Sequence, residues 1–241
     1  MRSETRHQLK QDAFSRATLE AAGKTVHWSV EHRDVLVRAG IALVVLLAVV
    51  LGGWYYLNQQ DEKASVVLSQ AVRTLETPLR APGTPAQPDF PSFESEKERS
   101  EAARKQFQSI VDNYPHTRTA DVARYFLGVT AAGVGDNGTA ERWLKEAASH
   151  GGTEVASLAN FALASVYADT NRPKDAVALY QQLIAKPTNS VGKVAAQLQL
   201  AELYQATNQP LDAKRLYEEI KRGNAQNEAG AVAAQKLAEL K

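Results

Sequence analysis

The six residues Ala-Arg-Tyr-Phe-Leu-Gly occupy positions 123–128. Their order of small and large side chains recurs twice further along the chain. A second pattern follows each copy and keeps the same spacing. Two patterns that share one period of this length predict a stack of helical hairpins. The later copies, at offsets of 36 and 37 residues, are Ala159-Asn160-Phe161-Ala162-Leu163-Ala164 and Ala196-Gln197-Leu198-Gln199-Leu200-Ala201, and the second pattern runs through Ala140/Ala176/Ala213 and Leu144/Tyr180/Tyr217.

Each column of the repeat has a residue size that suits one place in a hairpin. The small members, Gly or Ala, allow the two helices of a hairpin to approach closely, and the large members, Leu or Tyr, fill the space between hairpins. The turns repeat as well, since Thr170-Asn171-Arg172-Pro173 returns as Thr207-Asn208-Gln209-Pro210. In the first copy Gly135-Asp136-Asn137-Gly138 stands there, and we predict that its Asn-Gly pair forms the turn.

These residues resemble the tetratricopeptide repeat. The likeness consists of Leu followed by Gly or Ala in the first helix, a tyrosine three residues later (Tyr167, Tyr204), and the Ala–Tyr pair of the second helix. The resemblance implies an all-α protein whose repeats form a right-handed α-solenoid of about three and a half helical hairpins.

The resemblance also implies a concave surface lined by the first helix of each hairpin. Two columns of residues would face it: Tyr125, Phe161 and Leu198 in the first, and Val129, Ser165 and Glu202 in the second. The first column is apolar, which suits a nonpolar peptide or the amphipathic helix of a client protein. The alternative is that these residues pack beneath a neighbouring helix. We take the six residues as the candidate peptide-binding groove.

The repeat domain is predicted to cover residues 61–241. Residues 61–76 carry apolar side chains three and four apart and would form the first helix of a degenerate opening repeat. Its second helix would contain Ala103, Phe107 and Ile110, which lie 37 residues before Ala140, Leu144 and Ala147. Five prolines separate the two, so residues 78–92 are predicted as an exposed insertion, with a proline-rich ligand for another domain as the alternative. Residues 228–240 are predicted as a closing cap helix, because the end repeats of a solenoid need caps.

Residues 39–57 form an uncharged apolar run. A helix of this length is about 28 Å long, close to the hydrocarbon thickness of a bilayer. We predict an uncleaved transmembrane helix; the alternatives are a cleaved signal peptide and a buried soluble helix. The 38 residues before the run exceed the short basic tail of a signal peptide. Residues 58–60 contain neither Gly nor Pro, so the helix is expected to continue into residues 61–76.

The N-terminal tail, residues 1–38, has seven Lys or Arg against five Asp or Glu and is predicted to be cytoplasmic and partly disordered. Lys24, Arg33 and Arg38 precede the apolar run, whereas only Lys63 and Arg73 follow it closely. The positive-inside rule therefore favours a cytoplasmic N-terminus. The predicted location is a bacterial inner membrane, crossed once, with the repeat domain in the periplasm or otherwise outside the cytoplasm.

Composition excludes several classes of protein. The net charge of +1 argues against general nucleic-acid binding, which needs a concentrated basic surface. The chain has no cysteine, which excludes disulfides, thiol catalysis and a lipid-modified cysteine. His116 and His150 are isolated in the sequence, and no nucleophile motif occurs. We predict no enzyme activity, no metal site and no cofactor.

A single anchor followed by such repeats, over residues 39–241, resembles the ancillary subunit of the bacterial SecYEG translocon (the YfgM-like family). This resemblance implies a scaffold that is accessory to protein translocation or to periplasmic chaperone networks. Its partners would be the translocon, chaperones or client polypeptides, with the lipid bilayer as its support. The alternatives are an envelope-assembly or cell-division scaffold that binds a folded partner, and a repeat protein that associates with itself as a homo-oligomer.

Overall fold

The computed structural model describes residues 32–81, 83–84 and 92–240, and these residues contain nine α-helices. No strand forms among them, and one isolated β-bridge pairs Leu79 with Phe93. The predicted all-α class is confirmed. The helices are α1 Arg33–Glu76, α2 Glu96–Asn113, α3 Arg118–Gly133, α4 Asn137–His150, α5 Thr153–Asp169, α6 Pro173–Ala185, α7 Lys193–Ala206, α8 Pro210–Gly223 and α9 Glu228–Glu239.

Two of the predicted segments fall largely outside the described residues. The tail predicted at residues 1–38 is described only from residue 32 onward. The insertion predicted at residues 78–92 is described at its two ends and at residues 83–84. The predictions of disorder in the tail and of an exposed loop therefore concern residues that lie mainly outside the described part of the chain.

The chain divides into two compact units between Tyr56 and Leu57. In the described part of the chain, α1 is the one helix that is long and apolar enough to cross a membrane. Its most apolar window has a mean hydropathy of 2.7, and none of that window is buried, unlike the core helix of a soluble protein. A signal sequence near the N-terminus meets the same criterion of length and composition. A membrane span and a signal sequence are both consistent with α1.

In the second unit, each helix from α2 to α9 packs against the next one along the chain, and α3 also contacts α5. Short turns join α3 to α4, α5 to α6 and α7 to α8, so these six helices form three consecutive hairpins. Contacts confined to the same hairpin and to adjacent hairpins are typical of a solenoid, in which each repeat buries its apolar face against the adjacent repeats.

The small and large residues that define the period are buried in all three hairpins. A Cβ atom added to Gly128 would lie 2.5 Å from Cγ of Leu144, well inside van der Waals contact. The prediction that the small column allows close approach of the two helices is thus confirmed for α3 and α4. The members that are at most 4% exposed are Ala140, Ala176, Ala213, Leu144, Tyr180, Tyr217, Leu127, Leu163, Leu200, Ala164 and Ala201.

The turns of the second and third hairpins share one backbone conformation. Asn171 and Asn208 have φ angles of 58° and 59°, in the left-handed region that asparagine tolerates better than most residues. The next backbone N–H in each turn donates to the carbonyl oxygen of Tyr167 or Tyr204, at 2.8 Å in both. This bond satisfies a carbonyl that the end of the helix would otherwise leave free.

In the first hairpin the left-handed residue is Gly135, with a φ angle of 78°. The prediction that Asn137-Gly138 forms this turn is wrong, because both residues lie inside α4. Asp136 caps that helix, and its carboxylate accepts a hydrogen bond from the backbone N–H of Thr139 at 3.2 Å. A strong N-cap directly before Asn-Gly moves the helix start ahead of the pair.

Before the three hairpins, the part of α1 within the second unit packs with α2. Ala64 and Ala71 share a core with Phe107 and Ile110. The two ends of the proline-rich segment are joined by two backbone hydrogen bonds, which form a closed junction. The N–H of Phe93 donates to the carbonyl of Pro78 at 3.2 Å, and the N–H of Arg80 donates to the carbonyl of Phe93 at 2.8 Å. The Arg80 side chain also donates to the carbonyl of Ser92 at 3.2 Å and forms an ion pair with Glu94.

Candidate peptide-binding groove

The first predicted column lies on the first helices of the three hairpins. Tyr125, Phe161 and Leu198 are all half-buried, so each packs on the core with one side and keeps part of its surface free. The ring of Tyr125 meets that of Phe126 edge-on at 5.4 Å between centroids, and the ring of Phe161 meets that of Tyr180 edge-on at 5.7 Å. Leu198 packs on the C-terminal core instead. These contacts show that each residue packs on the core, and the binding of a peptide by its exposed part stays a prediction.

The second predicted column changes in character along the solenoid. Val129 is half-buried on the central core, Ser165 hydrogen bonds with the Tyr180 hydroxyl at 3.2 Å, and Glu202 accepts a hydrogen bond from the Gln199 side chain at 3.1 Å. Phe161 and Ser165 both contact the side chain of Tyr180. Tyr125 packs on the same central core as Phe161 and Val129, whereas Leu198 packs on the C-terminal core.

The six residues of the two columns are mainly uncharged. Burial raises the pKa of Tyr125, which keeps its phenol neutral at physiological pH. Glu202 is then the one charged member of the two columns, beside apolar rings, an aliphatic side chain and one hydroxyl. Among the residues that the structure describes, no group of His, Asp or Glu is placed to hold a metal ion.

A charged network that sequence reasoning missed joins two hairpins. Glu141 of α4 is held by Lys145 at 2.7 Å, by Arg172 at 3.0 Å and by the Tyr167 hydroxyl at 3.2 Å. The Arg172 guanidinium also covers the Tyr167 ring at 4.0 Å and bonds Asp175 at 2.8 Å. The sequence signal for this network was Arg172, because the next copy of the turn has the uncharged Gln209 at the same position.

We expect Glu141→Gln to lower the free energy of unfolding at neutral pH by about 1 kcal/mol. The loss stays this small because solvent screens exposed ion pairs. The bonds from Lys145 and Arg172 lower the pKa of Glu141 from 4.5 to about 2. The native carboxylate therefore stabilises the fold above pH 4.5, and this advantage is lost as the pH falls from 4.5 towards 2. Thermal unfolding of the full chain in detergent, followed by circular dichroism across that interval, measures the effect.

The matched control for this pH dependence is Glu218→Gln, which removes an exposed carboxylate that forms no ion pair within the described residues. This variant should unfold like the native protein at every pH. A loss in Glu141→Gln that persists unchanged at the acid end would contradict the assigned role of the carboxylate.

A cavity of about 400 Å³ lies beside the turn between α2 and α3, lined by Pro115, His116, Thr117, Asp121, Arg124 and His150. Arg124 is 9% exposed, donates to Asp121 at 2.7 Å and to the carbonyl of Pro115 at 2.9 Å, and has its Nε 3.8 Å from Glu146. Burial raises the pKa of Asp121 even though Arg124 opposes the shift. Arg124 thus ties α3 to α4 and to the turn before α3, while its buried Nε makes no hydrogen bond within the described residues.

Comparison with known proteins places this geometry in a family. A family model described as "Tetratricopeptide repeat-like domain" matches residues 27–182. The chain belongs to this family. Two crystal structures of nearly identical TPR-like repeats from Podosopora anserina share the tetratricopeptide repeat-like fold with a TM-score of 0.57 each. Their sequences are 16% and 15% identical to this one, and the matches cover 74% of this chain and 85% and 84% of theirs.

At that level of identity the two structures show the fold alone. No curated protein matches the sequence. Tetratricopeptide repeat-like domains generally bind proteins and are typically non-catalytic, so family and fold together support a protein-interaction scaffold. They support neither the YfgM-like member nor any other particular one.

Proposed function

We propose that the protein is a membrane-anchored scaffold whose repeat groove binds protein segments outside the cytoplasm. Residues 39–57 would cross a bacterial inner membrane once, with the tail of residues 1–38 in the cytoplasm and the repeat domain of residues 61–241 in the periplasm. The observation that carries the proposal is the apolar column Tyr125–Phe161–Leu198, part of whose surface stays exposed on a fold that generally binds proteins. An anchored domain of this kind is held close to polypeptides that emerge from the membrane.

The assignment to protein translocation or to periplasmic chaperone networks is the finer part of the proposal. It rests on the combination of one apolar span with repeats of this type, as in the YfgM-like ancillary subunit of the SecYEG translocon. The partners would then be translocon subunits, chaperones or client polypeptides in transit.

A photo-crosslinking residue placed at Leu198 tests the groove. Leu198 is half-buried and touches the C-terminal core from one side only, so the substitution should leave the fold intact. We expect this full-length variant, in native membranes, to form crosslinks to client polypeptides or translocon subunits. Crosslinked bands identified by mass spectrometry, together with the helical circular dichroism spectrum of the purified variant, measure the result.

The matched control is the same photo-crosslinker at Leu211, an exposed leucine at the start of α8, on a second helix of a hairpin. Equal crosslinking at Leu211 and Leu198, or crosslinking at Leu211 alone, would contradict a binding groove. Copurification from detergent separates the alternatives, because outer-membrane or cell-division components in place of the translocon would favour an envelope scaffold. A crosslink between two copies of the chain would favour self-association.

A reporter fused after Lys241 tests the topology. Activity of a periplasmic reporter supports the proposed orientation, whereas a reporter that is active only in the cytoplasm would overturn both scaffold hypotheses at once.

A further inference from the structure

Three consecutive aromatic side chains lie at one end of the apolar run of α1. Trp54 and Tyr55 are each 65% exposed, and Tyr56 is 59% exposed. In the described part of the chain, neither the indole N–H of Trp54 nor the hydroxyl of Tyr55 has a hydrogen-bond partner. Such groups are unfavourable in hydrocarbon, whereas lipid headgroups and interfacial water offer them hydrogen bonds. These rings therefore fit the headgroup region of a bilayer.

The direction of helical side chains decides how deep α1 has to lie for this fit. In an α-helix each Cα–Cβ bond is tilted toward the N-terminus, so a side chain covers the turn before its own residue. The rings of Trp54 and Tyr55 thus lean toward the centre of the apolar run. If residues 39–57 filled the hydrocarbon, both rings would lie inside it together with the Tyr55 hydroxyl. The rings reach the headgroups only if the hydrocarbon ends before Trp54.

The opposite end of the run favours the same shift. Residues 35–37 are apolar, lie within α1 and are between 40% and 61% exposed, so they gain stability where lipid covers them. Arg38 follows them, and its side chain also leans toward the N-terminus. Its guanidinium therefore reaches lipid phosphates from a Cα that lies within the hydrocarbon. Asp34, in the first turn of α1, then marks the polar boundary.

We propose that the hydrocarbon core of the membrane holds residues 35–53, a shift of four residues from the predicted 39–57. Trp54 and Tyr55 then contact the lipid headgroups of one leaflet, and Arg38 contacts the phosphates of the other. Both segments contain nineteen residues, about 28 Å of helix, so each matches a bilayer equally well in length. The inference rests on the proposed membrane span and adds to it the lipid surface that each end contacts.

Cysteine labelling distinguishes the two positions of the helix, because the native chain has no cysteine and gives no background. Leu36→Cys and Leu57→Cys form a matched pair, since the two leucines are 40% and 44% exposed on the protein. Each full-length variant is reconstituted into liposomes of phosphatidylethanolamine and phosphatidylglycerol and treated with N-ethylmaleimide, which reaches both sides. Because the reactive thiolate is disfavoured in hydrocarbon, we expect Leu57→Cys to react about tenfold faster than Leu36→Cys.

Two further variants provide the controls. Leu46→Cys lies in the middle of the run and should be protected in either position of the helix. Glu218→Cys, at an exposed site of α8, should react as fast as a thiol in water. After the liposomes are dissolved in sodium dodecyl sulfate, all four variants should react at similar rates, because the lipid no longer protects any of them.

Replacement of all three aromatic residues by leucine tests their role directly. Without these rings the C-terminal end of the run can enter the hydrocarbon, so the helix should move toward the position with residues 39–57 inside. In this background the reaction of Leu57→Cys should slow and that of Leu36→Cys should accelerate. Val49→Leu/Val50→Leu, which keeps the middle of the run apolar, is the matched control and should leave both rates unchanged.

The outcomes separate this inference from the proposed membrane span. If Leu36→Cys reacts as fast as Leu57→Cys, or faster, while Leu46→Cys stays protected, the assigned position is wrong and the span stands. If Leu46→Cys reacts as fast as Glu218→Cys, the span and the assigned position fail together. Unchanged rates after replacement of the aromatic residues would show that these rings do not hold the helix in place.

Discussion

Replacement of Tyr217 by alanine is expected to remove about 3–5 kcal/mol from the free energy of unfolding, the range for a large buried ring truncated in a core. Tyr217 is 0% exposed and packs with Ala201, Ile220 and Ala233, so it joins α7, α8 and α9. Among the described helices, α8 is the main packing partner of α9, so a cavity at this position should release α9 first. Urea unfolding of the full chain and hydrogen exchange across α9 measure both effects.

Tyr217→Phe is the matched control, because it keeps the ring and removes only the hydroxyl. That hydroxyl is 3.5 Å from Oε1 of Gln205, a long contact whose loss should cost about 0.5 kcal/mol. Uniform loss of exchange protection throughout the solenoid in Tyr217→Ala, without an early loss in α9, would show that the repeats unfold as one unit and not from the end.

The second large effect is expected from Gly128→Ala, although alanine is the better helix former. The added Cβ would lie 2.5 Å from Cγ and 2.7 Å from Cδ2 of Leu144, a side chain that is itself fully buried. Overpacking of this kind costs about 1–3 kcal/mol. The corresponding positions hold Ala164 and Ala201, which share their cores with Tyr180 and Tyr217, the residues aligned with Leu144. Thermal unfolding measures the loss.

A double-mutant cycle identifies the cause of that loss. If the clash with Leu144 is responsible, Gly128→Ala should cost little in a Leu144→Ala background, with a coupling of about 1 kcal/mol or more. Additive losses would show that the cost arises elsewhere, for example in the backbone of α3. Gly138→Ala, at an exposed position of α4 where an added Cβ meets no atom within 4 Å, is the control for helix propensity.

The repeat could be predicted because residue size alone records where two helices touch. The repeat period is kept by three small residues, Gly128, Ala164 and Ala201, although the residues around them differ between the copies. The structure buries all three. The sequence likewise showed that two turns match, and the structure adds that Asn171 and Asn208 share a left-handed conformation. The first turn was mispredicted since Asn-Gly is a strong turn signal, and here the Asp136 cap outcompetes it.

The candidate site could be predicted only in part. Periodicity shows which residues share a face of α3, α5 or α7, but it does not measure how deeply a neighbouring helix covers that face. Tyr125 and Phe161 turned out to be half-covered for this reason. The links from Tyr180 to Ser165 and from Glu141 to Arg172 join residues of different helices, and they depend on distances between helix axes that a period does not contain.

The closed junction at the base of the proline-rich segment has a practical consequence. Leu79 and Phe93 are paired, so the two ends of this segment lie side by side. Lengthening a loop whose ends are already joined costs only about 0.6 kcal/mol for each doubling. The segment between them is therefore a natural insertion point for an affinity tag or a fluorescent protein. Such a fusion would report on the intact molecule in living cells while both the groove and the C-terminus remain free.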